Sequence, residues 1–88
     1  MDTLSDLHDD LDDIEATLQR RPGEALDDLE TLIEDAEATI PDALSQSRRL
    51  LRNEDFSGAA GEASRTALLV QRIATATLDI REETRRRR

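Results

Sequence analysis

The chain has 88 residues, one aromatic residue and no cysteine; its 21 acids outnumber 12 basic residues, for a formal net charge of −9. Disulfides and thiolate metal sites are excluded, no apolar run approaches the ~20 residues of a membrane span, and no signal-peptide pattern opens the chain. The expectation is one cytoplasmic domain, small enough to need a well-packed core or a partner.

Every basic residue is Arg, with no Lys at all. Such an acidic, lysine-free composition fits a GC-rich genome or a halophile. Charge this far from zero makes the compact state repel itself, and salt screens that repulsion. Charge is also polarised along the chain. Residues 1–47 hold 15 acids and two Arg, whereas residues 48–88 hold six acids and ten Arg. Helices of opposite sign, packed antiparallel, would complement one another.

The first helix is "DTLSDLHDDLDDIEATLQRR". Leu4, Leu7, Leu11, Ile14 and Leu18 recur at spacings of three and four, forming one apolar stripe with acids on the other faces. Asp2 and Asp6 lie in the first turn, and Arg20 and Arg21 in the last, as the helix dipole prefers. Pro22-Gly23 then breaks the helix, and Pro22 suits the first position of the next one.

The second helix is expected from about Glu24. Leu26, Leu29, Ile33, Ala36, Ile40, Ala43, Ser47 and Leu50 keep the helical step. The apolar phase runs unbroken across Pro41, which predicts one long helix kinked there and not two helices. "RNEDFSG" ends it, with Asp55 a natural N-cap. The third helix is expected to run to about Glu83. Its stripe is Ala59, Ala63, Thr66, Val70, Ile73, Thr77 and Ile80, widened by Leu69 and Ala76.

Phe56, the one aromatic, is expected to lock the corner between helices two and three. A Gly inside a helix costs ~1 kcal/mol against Ala. Gly58 and Gly61 therefore suggest close approach to a neighbouring helix.

"DLHDDLDDIE" (6–15), followed by "NEDFSGAAGEASRTALLVQRI" (53–73), resembles the C-terminal domain of HscB-type J-domain co-chaperones of iron–sulfur cluster assembly. That domain has an acidic first helix, a long second helix ending in Asn or Gly, an acid and an aromatic, and an Ala-rich third helix. The resemblance spans residues 4–82. It implies a three-helix bundle that docks the iron–sulfur cluster scaffold protein. The 88 residues contain no His-Pro-Asp motif and leave no room for a J-domain, so stimulation of a DnaK-type ATPase is not implied. In the family's register, Asp2 and Ser5 fall at apolar docking positions and Leu68 at an aromatic one. The partner-binding patch the resemblance implies is reduced to Met1, Leu4 and Leu68.

The acids Asp9, Asp10, Asp12 and Asp13 lack the alternation and glycine of an EF-hand loop. His8 and Asp12 stand one turn apart, short of the three or four ligands of a zinc site. No nucleophile has a base and no glycine-rich phosphate loop follows a strand, so neither an enzyme nor a cofactor is expected. Arg48, Arg49, Arg52, Arg85, Arg86, Arg87 and Arg88 are the candidate basic patch, extended by Arg65 and Arg72. The net charge and the lack of stacking aromatics argue against nucleic acid as its partner.

The sequence thus predicts an all-α, antiparallel three-helix bundle with coiled-coil-like packing over residues 1–84, and a flexible tail of arginines over 85–88. The expected core is Leu7, Leu11, Ile14, Leu18, Leu26, Leu29, Ile33, Ile40, Leu50, Leu51, Phe56, Leu69, Ile73 and Ile80. Helix one is shorter than the others, so part of the long hairpin is left uncovered, around Ile40 to Leu51 or at the opposite end. An uncovered apolar stripe signals a partner or self-association. The functional expectation is a non-catalytic protein-interaction module, an adaptor resembling a co-chaperone. A small nucleic-acid-associated protein and a structural homo-oligomer are the alternatives.

Overall fold

A computed structural model describes residues 3–87. They form three helices, α1 (Thr3–Leu18), α2 (Pro22–Arg52) and α3 (Phe56–Arg86), and no strand among the described residues. The helices pack as an antiparallel three-helix bundle, a rod of 53 × 19 × 17 Å.

α1 buries the stripe its spacing predicts: Leu4, Leu7, Leu11, Ile14 and Leu18. α2 opposes it with Ala25, Leu29, Leu32, Ala36 and Ala43, and α3 with Leu69, Ala76 and Ile80. Leu11 and Leu69 are fully buried at 0 % exposure. Each such leucine contributes roughly 2–3 kcal/mol of apolar transfer. Ile33, Ile40 and Ile73 pack against this core from its edge. Thr66 is the one buried polar residue of the described core, and its hydroxyl donates to the Glu62 carbonyl at 2.9 Å.

Four expected core residues lie outside the core: Leu26, Leu51 and Phe56 are exposed, and Leu50 is half-buried apart from the cluster. So are Ala63, Val70 and Thr77 of the expected α3 stripe. The reason is geometric. α2 and α3 each face two neighbours, so the buried arc of each is centred between those neighbours. On α3 that arc follows Ala59, Glu62, Thr66, Leu69, Ile73, Ala76 and Ile80, a regular alternation of three and four. The residues expected inside sit at or beyond its far edge.

α2 runs unbroken through Pro41. It begins at Pro22, and α1 ends at Leu18, which leaves Arg20 and Arg21 in the connection and not in a helical last turn. α3 continues three residues past its expected end, so Arg85 and Arg86 belong to the helix and not to a separate tail. They pair with Glu82 and Glu83, while Arg87 donates to the Gln19 carbonyl at 3.0 Å. Arg88 lies outside the described residues.

The turn between α2 and α3 is three residues long. The Glu54 N–H donates to the Leu51 carbonyl and the Asp55 N–H to the Leu50 carbonyl, closing α2 in a Schellman arrangement. Glu54 takes the left-handed conformation this requires, at φ 60. Asp55 then caps α3, accepting from the Gly58 N–H at 3.0 Å. Phe56 opens α3 at 64 % exposure and locks nothing. Its presence beside the glycines reflects the cap that follows the turn, not a buried corner.

Candidate interaction surface

α1 is half the length of its neighbours, and a polar network fixes it against α3. Arg72 is at the centre, with its side chain only 22 % exposed. It reaches Asp12 at 2.6 Å and Glu15 at 3.4 Å, and donates to the His8 carbonyl at 3.3 Å. It also lies 2.9 Å from His8 Nδ1. A guanidinium has only donors, so His8 Nδ1 accepts and the ring proton sits on Nε2. Burial pulls the Arg72 pKa down, but hydrogen bonds and charge from Asp12 and Glu15 outweigh it, and the net shift is upward. Arg65 reaches Ser5 at 3.3 Å. Among the described ion pairs, those between the acidic and basic halves are made by Arg72. His8 and Asp12, the weak metal pair, are both engaged by this arginine.

The Arg65–Ser5 contact sets the level of α1. Residues 44–52 of α2 and 56–62 of α3 extend past it as a two-helix hairpin. The uncovered end is thus the Ile40–Leu51 end of the two alternatives. A longer uncovered surface lies on the side of the hairpin away from α1. On α3, Phe56, Ala60, Ala63, Ala67, Val70, Ala74 and Thr77 are all exposed and spaced four, three, four, three, four and three apart. That is one face of a helix. Between Phe56 and Ile80 the only charged residues are Glu62, Arg65, Arg72 and Asp79. Helical spacing puts all four on the core or α1 side, where Arg65 and Arg72 are seen to bind. Leu26, Leu44 and Leu51 stand exposed on the adjoining face of α2, Leu26 in line with half-buried Ile33 and Ile40, and Leu44 and Leu51 in the next row, in line with Glu30 and Glu37. The result is a face whose α3 half carries no charge and whose α2 half is apolar except for Glu30 and Glu37, with Arg48 at its edge, on a chain that is 38 % charged.

Other candidates are dispersed. Leu4 is 3 % exposed, inside the core, and cannot form a docking patch with Leu68. The cause is its place at the start of α1's buried stripe. Leu68 is 53 % exposed but flanked on its own face by Ser64, Gln71, Arg72 and Thr75. Met1 lies outside the described residues. The arginines form no single patch either. Arg48, Arg49 and Arg52 close α2 at the hairpin tip, whereas Arg85, Arg86 and Arg87 lie at the other end of a 31-residue helix, roughly 45 Å away at 1.5 Å per residue. Arg65 and Arg72 turn to α1 and cannot bridge them.

An acidic groove between α1 and α2 is lined by Asp10, Asp13, Asp28 and Asp35 with Thr31 and Leu32. Among the described residues no group of three or more His, Asp or Glu is placed to hold a metal ion. No helix among them is long and apolar enough to cross a membrane. Comparison with protein families, curated proteins and solved structures returned no match.

Sequence spacing alone does not single out the uncharged face as a surface. Its signal is nonetheless present as a second heptad on α3, free of charge from Phe56 to Thr77 and parallel to the buried one.

Proposed function

We propose that the protein is a non-catalytic protein-interaction module whose binding surface is the face of the α2–α3 hairpin opposite α1. One observation carries this reading: a two-helix face about 33 Å long, at 1.5 Å per residue, that carries no charge on its α3 half in an otherwise densely charged molecule. Exposed apolar surface of this extent is destabilising to hydrate and marks an association site. Leu44, Leu51, Phe56 and Val70 supply its larger side chains, and the alanines of α3 let a partner helix approach closely.

The surface differs from the one implied by the co-chaperone resemblance, which used Leu4 and Leu68. The adaptor role is retained; the docking site is moved to the hairpin.

The test compares wild type with Val70→Glu, which leaves the core untouched because Val70 is exposed. Association is read both as solution mass and as proteins retained by the immobilised chain. Loss of association in the variant, with helicity unchanged by circular dichroism, is expected. Equal association in both would overturn the reading.

A further inference from the structure

Resting on that reading, we propose that the occupant of the face is a second copy of this chain, packed antiparallel about a two-fold axis that passes beside Ala67. The internal register of the hairpin leads to this arrangement. The Ser47 hydroxyl donates to the Ala59 carbonyl at 2.8 Å, so these two residues are level. Ala67 is then level with Thr39.

A two-fold axis at that level makes both helices self-complementary at once. On α3, Ala67 meets Ala67 of the second copy, Ala60 meets Ala74, Ala63 meets Val70 within one residue, and Phe56 meets Leu78. On α2, Ile33 meets Leu44 and Leu26 meets Leu51, each within one residue. The flanking charges obey the same operation. Glu30 falls opposite Arg48 of the second copy, and Glu54 lies beside Arg81, which follows Thr77 along the exposed seam of α3. Opposite helix directions also oppose the macrodipoles of the two α3 helices favourably.

A parallel pairing, with hairpin tips together, lacks this property. It sets α2 against α3, so Glu30 falls opposite Ala76 and Arg48 opposite the uncharged start of α3, and neither charge is matched. The antiparallel pairing matches Leu26 and Ile33 with Leu51 and Leu44 on α2, with Glu37 against Ile40 near the axis, sets alanines at the centre of α3 with Phe56 and Leu78 at the ends, and pairs the flanking charges Glu30 with Arg48 and Glu54 with Arg81. It joins two hairpins into a four-helix layer with one α1 on each outer side.

The experiment is light scattering on the full chain across a concentration series, with cysteine cross-linking. Wild type is expected at twice the 9.9 kDa monomer mass. Ala67→Glu brings two like charges together at the axis, and Leu44→Glu removes an apolar contact; both residues are exposed, so helicity should persist. Both variants are expected to be monomeric. Ala67→Cys is expected to cross-link to itself under mild oxidation, and Ala60→Cys to cross-link with Ala74→Cys in a mixture of the two variants. Glu30→Arg and Arg48→Glu should each weaken the dimer at least tenfold, and the double variant should restore it. A wild-type monomer at all concentrations overturns this inference. If that monomer still captures another protein in a manner lost in Val70→Glu, the interaction-module reading survives. A dimer that persists in Ala67→Glu overturns both, and a dimer without the Ala67→Cys cross-link overturns the antiparallel arrangement.

Discussion

The carboxylate of Asp55 occupies the space that a β-carbon on Gly58 would fill, 2.5 Å from where that carbon would lie. Residue 58 is therefore glycine for the sake of the α3 cap and not for close helix packing. Gly61 has nothing within 4 Å of the equivalent position. The two glycines should respond differently to the same change. Gly61→Ala gains helix propensity and disturbs no neighbour, so stability rises by about 1 kcal/mol, or ~4–8 °C in Tm. Gly58→Ala gains the same propensity but displaces the Asp55 cap, which is worth ~1 kcal/mol, and the net is near zero. Thermal unfolding followed by circular dichroism measures both. An equal rise in the two variants would show that the cap contributes nothing.

Glu54 holds a conformation that suits glycine. The Schellman closure of α2 places it at positive φ, where a β-carbon costs roughly 1 kcal/mol. Glu54→Gly is expected to raise stability by up to ~1 kcal/mol, while Glu54→Ala, which keeps the β-carbon, should gain little. Urea titration of the three proteins at one chain concentration checks this. A gain for alanine equal to that for glycine would assign the effect to charge instead of backbone.

Arg72 makes the densest described polar contact between α1 and α3. Its partners Asp12 and Glu15 are exposed by about half or more, so solvent screens each ion pair and its individual contribution is small. Arg72→Ala removes both pairs, leaves His8 Nδ1 without its donor and strips the aliphatic stem from the interface. A loss of about 1–2 kcal/mol is expected. Arg72→Lys should recover only part, because one ammonium cannot reach Asp12, Glu15 and His8 together. Chemical denaturation of the three proteins gives the order, and an unchanged midpoint for Arg72→Ala would remove the network from any stabilising role.

Much of this fold is legible in the order of residues alone. α1 shows a single apolar stripe, from Leu4 to Leu18, and buries it. The continuous phase across Pro41 correctly implies one long α2. The burial register of α2 and α3 is harder, because each carries two apolar stripes. On α2, Ala25 and Leu32 compete with Leu26 and Ile33; on α3, Leu69 and Ala76 compete with Val70 and Thr77. Periodicity alone does not say which pair lies within the arc shared by two neighbours. The same ambiguity hides the candidate surface. Spacing assigns Val70 and Ala63 to the core stripe, so the face they form does not show as exposed. Leu4 fits both stripe and surface, and its position on the inner side of α1 decides for the stripe. The opposite-end placement of the arginine clusters follows from the antiparallel hairpin and the length of its helices, once both are known.

Pro41 presents a last contrast between helix chemistry and tertiary structure. It sits inside α2, exposed, where its ring lacks the N–H that would bond the Glu37 carbonyl and crowds that carbonyl besides. Intrinsic propensity puts proline about 3 kcal/mol below alanine in a helix interior. Packing of Ile40 and Ala43 on either side holds the helix together regardless. Since Pro41 is exposed and outside the core cluster, Pro41→Ala forfeits little packing and restores the missing bond. Stability should rise by ~2–3 kcal/mol, the largest gain of any single exposed change in the bundle. Far-UV circular dichroism should show no loss of helix, and the denaturation midpoint should move up with an unchanged slope. A fall in stability would mean that the backbone geometry imposed by proline is needed at this point of α2.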